Sequence, residues 1–435
     1  MEKGQPEQAS GKSTGESISK NELRRELRLV DAIAIGLGAI IGAGIFVVTG
    51  VAAGVAGPAF LVGLILAGTV ATFNALSSAQ LAATYPQSGG TYEYGYRVLN
   101  PWLGFSAGWM FLASKLAAGG TVALGFASYL HALFPAIHQR PAAVAAVVIL
   151  TAINYFGIRR AGKLNNLIVI FSVVALTYFV IAGIPTFDVS NLQPFAPTGL
   201  SGILESAALM FFAYTGYARL ATLGEEVDNP KRTIPRAIVA ALGIAAFLYV
   251  AVALVAVGGI GAQELASTAS PLERAAQTFH LPGTGLIVAA GATFAMLGVL
   301  LSQILGISRM AFAMARRKDL LPFLDHVNSY GIPDRGVILT GLILVAVVLL
   351  GTLEVIVAGA AFTILLYYSI ANLAAMRMRE SDRLFPRWVP VLGLASCLLL
   401  AFTLELNVIA SGLGLLAAGL LLRFVYRRVT SPHST

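Results

Sequence analysis

Charged side chains are scarce in this sequence: Asp, Glu, Lys and Arg make up 11% of its 435 residues, while 57% are hydrophobic. Soluble globular chains carry about 25% charged residues. A chain of this length has too few polar groups here to coat a globule, so it is an integral membrane protein. Cysteine is scarcer still. The single Cys397, in the apolar run VPVLGLASCLLLAF, excludes a disulfide framework and reads as a buried apolar thiol. The apolar runs hold no HExxH, no paired cysteines and no close pair of carboxylates, which leaves metal binding and hydrolysis without residues to perform them. The histidines fall in loops, loop edges and the tail, at His131, His138, His280, His326 and His433. No cofactor is expected. Residues 1–19 lack an apolar core like that of a cleavable leader, and their Ser, Gly, Glu and Lys content reads as a disordered tail.

What the sequence does have is long apolar runs. A spanning helix needs roughly 20 mostly apolar residues. About twelve such runs can be drawn: 29–49, 58–83, 101–130, 141–157, 164–184, 200–222, 235–259, 284–314, 336–351, 354–376, 386–403 and 406–426. The ninth and tenth nearly touch through GTLE, which implies a tight turn. Basic residues in short loops set the orientation. With Lys20, Arg24, Arg25 and Arg28 in the cytoplasm, alternate breaks hold Arg97, then Arg159, Arg160 and Lys163, then Lys231, Arg232 and Arg236. The series continues with Arg316, Arg317, Lys318 and Arg335, then Arg377, Arg379, Arg383 and Arg387, and ends with Arg423, Arg427 and Arg428. The other breaks contain only Arg140 and Arg274, beside Asp188, Glu264, Glu273 and Glu354. Both termini are therefore expected in the cytoplasm. The formal charge of +8 is a topology signal, and nucleic acid is not expected as a partner.

The first run contains GAIIGAGIF, with Gly38, Gly42 and Gly44 in its middle. Broken helix is tolerated in hydrocarbon only where it lines a cavity or is buried in protein. Glycine lowers the cost of such a break. The break would leave N–H groups on one half-helix and C=O groups on the other, a pair that suits the carboxylate and ammonium of an amino acid. The alternative is a packing face, since Gly38 and Gly42 form a GxxxG spacing. The sixth run, MFFAYTGYARLATLGEE, favours the break. Thr215 and Gly216 interrupt it at similar depth, with Tyr214, Tyr217 and Arg219 around them, and transporters built on inverted repeats place breaks at matching positions.

Four stretches resemble the amino acid–polyamine–organocation superfamily of permeases, which share the LeuT-type fold. They are GAIIGAGIF, FFAYTGYARLATLGEEVDNPKRTIPRAI, SRMAFAMARRKDLLP and YPQSGGTYEYGYRVLNPWLG, spread over residues from about 30 to 376. EEVDNPKRTIPRAI is the most specific part. The resemblance implies an all-α membrane protein whose ten-helix core is a 5+5 inverted repeat with discontinuous first and sixth helices, plus two peripheral helices. It places the core at 20–376, with repeats at 29–184 and 200–376, the peripheral pair at 377–427 and a tail at 428–435. It implies that amides of Ala43 and Gly44 hold a substrate carboxylate, and that carbonyls of Ile40, Phe212 and Thr215, beside Gly216, accept from its ammonium. The Phe212 ring would close over the substrate as an outer gate.

Lys115, in GWMFLASKLAAGG, lies mid-way along the third run, where a lysine is expensive unless it faces protein or water. It could stand in for a coupling cation, gaining and losing a proton during the cycle. The alternative is a structural lysine reaching a helix end. Proton-coupled members of the superfamily often carry a lysine in helix five, where this chain has Ser172, and sodium-coupled members supply hydroxyls from helix eight, where it reads ATFAMLGVLL. Sodium coupling is thus not expected. Arg219 could pair with Glu225 or Glu226 at an inner gate. Two basic groups near the site favour neutral amino acids, leave acidic ones open and oppose polyamines. The expected function is a secondary transporter in the cell membrane, as proton symporter or exchanger. A membrane enzyme lacks its nucleophile or metal ligands, and a channel would show no counterflow.

Overall fold

The computed structural model of the chain describes residues 27–85, 89–157, 161–221 and 227–430. The expected tail at 1–19, together with Lys20, Arg24, Arg25, Arg159, Arg160, Glu225 and Glu226, lies outside the described residues.

Among the described residues every regular element is a helix, and the one bridge pairs Leu27 with Val227. The α-helices are α1 (Leu29–Ile40), α2 (Thr49–Ala56), α3 (Phe60–Thr84), α4 (Thr91–Tyr94), α5 (Pro101–Leu133), α6 (Gln139–Tyr155), α7 (Ala161–Gly183) and α8 (Gly199–Tyr214). They continue with α9 (Ala218–Ala221), α10 (Pro230–Ala266), α11 (Pro271–Ala276), α12 (Thr284–Arg316), α13 (Asp334–Leu350), α14 (Leu353–Met376), α15 (Trp388–Ala401) and α16 (Leu406–Thr430). Helix is the form apolar segments adopt when their own backbone must supply every hydrogen bond. Seven stretches among the described residues are long and apolar enough to cross a bilayer: Leu29–Thr84, Pro101–Leu133, Leu167–Thr186, Arg232–Ala266, Thr284–Arg316, Leu353–Met376 and Leu406–Arg428.

The first of these, at 56 residues, would reach about 84 Å if straight, far beyond a bilayer's hydrocarbon. It turns at Gly57, whose φ of 61° is glycine territory and where a Cβ would sit 2.7 Å from the Pro197 ring. The turn expected at GTLE is tight: only Gly351 and Thr352 separate α13 from α14. The seventh apolar run ends at 259, whereas α10 continues to Ala266 across a kink at Gly261, φ 77°.

The helices pack reciprocally. α3 lies on α8 as α10 lies on α1, α5 runs along α14 as α12 runs along α7, and α5 and α12 lie along each other. α6 meets α13 in the same way, and α15 covers α14 and α3. Helix α16 rests on α5 and α14 through glycines: Gly412 abuts the Phe362 ring and Gly419 the Trp109 ring. The Trp109 indole also donates to the Leu415 carbonyl at 2.8 Å. Polar side chains inside the bundle, Asn74, Asn154 and Asn372 among them, join helices. Asn372 donates to Asn74, Asn74 to the Cys397 thiol at 3.1 Å, and Asn154 to the Leu301 carbonyl at 3.2 Å.

Candidate functional site

Helix α1 holds its hydrogen bonds as far as Ile41, whose amide donates to the Leu37 carbonyl at 2.8 Å. Ile41 itself is extended, φ −74° and ψ 108°, so the chain leaves the helix there. It resumes as a π-helical turn over Gly44–Val48 that leads into α2. Of the three glycines expected in the break, Gly42 and Gly44 fall at it. Gly38 does not: it lies inside the last intact turn, because the i to i−4 bonds persist past it. The first amides of a helix have no acceptor within it. No bond runs from the Gly42, Ala43 or Gly44 amide to another part of the described chain, and all three residues are buried. The partial positive charge of such a helix end suits an anion.

The second break ends α8 at Tyr214, followed by a 3-10 turn over Thr215–Tyr217 and the single turn of α9. The two breaks lock into each other. A Cβ on Gly44 would stand 2.3 Å from the Ala213 Cα, and one on Gly216 would stand 2.1 Å from the Ala39 carbonyl oxygen. Each glycine is therefore the place where the other broken helix passes backbone to backbone. Break and close packing thus coincide at Gly44 and Gly216, not at the Gly38 and Gly42 pair of the GxxxG spacing.

The expected ammonium acceptors already have partners within the chain. The Ile40 carbonyl accepts from the Tyr249 hydroxyl at 2.8 Å, and the Thr215 carbonyl from the Tyr368 hydroxyl at 3.4 Å. The Phe212 carbonyl takes both the amide and the hydroxyl of Thr215, the latter at 2.9 Å, which fills its two lone pairs. It is the least available of the three. Tyr249 and Tyr368 are buried, on α10 and α14, and sequence reasoning missed both. The signal was present: a tyrosine deep in an apolar span must find an acceptor for its hydroxyl, and helix breaks are where spare acceptors occur. Tyr129 on α5 repeats the pattern, donating to the Phe46 carbonyl at 2.6 Å in the π-turn while accepting from the Leu272 amide of α11 at 3.3 Å. Of the aromatics expected around the second break, Tyr217 packs on Tyr368 with ring centroids 5.4 Å apart, and Tyr214 on Tyr249 at the same distance.

Lys115 is partly exposed within α5, its Nζ 5.8 Å from the Phe111 ring centroid, and among the described residues no carboxylate pairs with it. Phe111 packs on Tyr367 at 5.5 Å, and Tyr367 on Tyr368 at 5.0 Å, so a run of rings joins Lys115 to the second break. A separate crevice beside the first break is lined by Gly38, Ile41, Ile168, Val169, Ser172, Ala295, Gly298 and Val299, and Lys115 is not among them. Its one side-chain oxygen, on Ser172, donates to the Ile168 carbonyl at 2.8 Å. Arg219 is exposed on α9, and the acids expected to pair with it lie outside the described residues.

The family model for amino acid permeases matches residues 31–431, which takes in both breaks and every helix that packs on them. The chain belongs to the amino acid permease family. The permease is 41% identical over 413 residues to an uncharacterized transporter of Mycobacterium tuberculosis, covering 94% of this chain and 93% of that one. It is 32% identical to the methylthioribose transporter of Bacillus subtilis, over 95% and 96% of the two chains. The branched-chain amino acid permease of Bacillus subtilis is 28% identical over 94% of each.

Two of the permease's family-like stretches also converge at the N-terminal end of α5. Asp319, fully buried, accepts from the hydroxyls of Tyr92 and Tyr96 and from Arg423 at 3.1 Å and Arg427 at 3.3 Å. Glu93 beside it pairs with Arg97 and Arg317. Burial and the Asp319 carboxylate push both phenols well above the usual tyrosine range, so they remain donors. Arg423, 1% exposed, further donates to the Pro101 carbonyl at 2.6 Å. The sequence reading counted it only as a loop charge.

Proposed function

We propose that this permease moves neutral amino acids across the cell membrane by alternating access, taking branched-chain or similarly apolar substrates first. One observation carries the reading: buried amides at Gly42, Ala43 and Gly44, with no bond to another part of the described chain, stand where α1 and α8 break against each other. A substrate carboxylate would take the Ala43 and Gly44 amides, while its ammonium would reach the Ile40 and Thr215 carbonyls. Phe212, 9% exposed, would be the outer gate and Arg219 part of the inner one. The relative that carries branched-chain amino acids supports an apolar side chain. The methylthioribose relative supports a second substrate class, because sugar hydroxyls, like an ammonium, donate to carbonyls.

The architecture proposed is twelve spans, both termini cytoplasmic, with repeats over about 29–184 and 200–376, two peripheral helices at 377–427 and a tail from 428. Its support is the reciprocal packing, in which α3 on α8 is matched by α10 on α1 and α5 along α14 by α12 along α7. A cysteine at Tyr330, 53% exposed, should label only from the cytoplasmic side; labelling from outside would refute this topology. Coupling would be to protons or to counter-substrate. A crevice with a single side-chain oxygen is a poor sodium site, since hard cations need several oxygen ligands.

The test is uptake into proteoliposomes of labelled leucine, glutamate, lysine and methylthioribose. Each is measured with an inward proton gradient and again with unlabelled solute inside. Gradient-driven accumulation of leucine means symport, and Lys115→Ala should then abolish accumulation while sparing exchange. Uptake that needs internal solute means an exchanger, and uptake without stimulation from the other side would mean a channel.

A further inference from the structure

We propose that Tyr249 is a specificity-determining residue: its hydroxyl occupies the Ile40 carbonyl, so that only a solute bringing its own hydrogen-bond donor can displace it. The inference rests on the transport reading above and adds to it a rule about how much a solute's hydrogen-bond donor gains on binding.

Tyr249 is fully buried on α10, and its oxygen lies 2.8 Å from the Ile40 carbonyl oxygen and 3.5 Å from that of Ala213. A phenol has one proton to give, and the shorter distance assigns it to Ile40. The two carbonyls belong to opposite broken helices, so this hydroxyl sits at the seam between them. Ile40 is the last residue of α1, where a carbonyl loses its helical partner and, once buried, must be satisfied by something else. Tyr249 is that partner. Tyr368 does the same for Thr215 at 3.4 Å, a weaker bond and an easier one to displace.

An ammonium or hydroxyl entering the break exchanges one donor for another, and the carbonyl stays satisfied. A carboxylic acid with no donor at its α-carbon leaves Tyr249 in place and gains nothing at Ile40. The tyrosine thus offsets the bond that a donor solute would otherwise gain at Ile40, and leaves the binding of a donor-free solute unchanged.

The experiment compares wild type, Tyr249→Phe and Tyr368→Phe in proteoliposomes. Leucine uptake is measured against competing unlabelled 4-methylpentanoate, which has leucine's skeleton without its amine, and 2-hydroxy-4-methylpentanoate, which restores a donor. Tyr249→Phe should lower the KM for leucine by about two- to tenfold, the range of one neutral hydrogen bond. Inhibition by the hydroxy acid should tighten in parallel, while inhibition by the donor-free acid should not change. Tyr368→Phe should shift the same way by a smaller factor. A misfolded variant lowers Vmax but does not tighten KM for donors alone, so damage cannot imitate the effect. A leucine KM that is unchanged or raised, or equal shifts for all three solutes, overturns the proposal while leaving transport standing. Wild type that carries neither leucine nor methylthioribose overturns the transport reading and the proposal together.

Discussion

Adding one methyl group at Gly44 tests the contact between the two broken helices. The new Cβ would lie 2.3 Å from the Ala213 Cα and 2.5 Å from its Cβ, both parts of a buried helix that cannot swing aside. Ordinary contact begins near 3.4 Å, so the backbones must part by about 1.1 Å. Overpacking of this kind costs about 1–3 kcal/mol. If the strain falls on the state that binds substrate, affinity drops by about 5- to 150-fold. A bulkier residue such as Leu is a poorer probe, because its effect on folding would hide its effect on binding. The control is Gly306→Ala on α12, where nothing lies within 4 Å of the added carbon. Alanine there should be neutral or stabilising by up to about 1 kcal/mol, through its better helix propensity. The assays are leucine binding to purified protein and thermal melting of the same sample. Gly44→Ala with wild-type affinity and melting temperature would refute the reasoning.

Two further perturbations probe regions away from the breaks. Replacing Arg423 with Leu removes one donor from the fully buried Asp319 and should destabilise the protein by about 3–5 kcal/mol, toward the lower end because Arg427, Tyr92 and Tyr96 remain. Thermal melting measures it, and Asp319→Asn combined with Arg423→Leu should recover part of the loss; an unchanged melt in the single variant refutes the assignment. Glu273 on α11 is buried, which raises its carboxyl above the ordinary 4.5 despite hydrogen bonds from Gln277 and Ser270 and the nearby Arg274. The folded state then holds its proton more tightly than the unfolded chain does, so this group's contribution to stability is complete below 4.5 and is lost as pH rises through the folded value. Glu273→Gln should therefore raise the melting temperature at pH 7.5, with the gain fading toward pH 4.5. A gain that instead grows on acidification reverses the sign and refutes the burial argument.

The legible parts of the site were those that leave a mark in a linear pattern. GAIIGAGIF announced a break because glycines are costly in a spanning helix, and TGY announced its counterpart because it interrupts an apolar run. The extent of the first break was not legible. Gly38 looks like Gly42 in sequence, but whether a glycine unwinds a helix depends on whether the preceding carbonyls keep their bonds, and Leu37 keeps its bond to Ile41. Tyr249, in FLYVAVALVAV, was hidden for another reason. It is an unremarked aromatic in an apolar run until the end of α1 is brought against it from 209 residues away.

The sequence by itself determined that this chain is a bundle of membrane helices, since scarce charge and repeated apolar runs leave the backbone no other way to satisfy itself. It also determined which helices break and which loops resemble those of permeases. Only the tertiary structure decided what the breaks face. Gly44 meets Ala213, Gly216 meets Ala39, and Tyr249 reaches Ile40, each a contact between residues far apart in the chain. Periodicity reports which way a helix presents its side chains relative to its own axis. Which neighbour it meets there is set by packing whole helices together, and in this permease that packing assigns the carbonyls at the breaks to tyrosines from other helices.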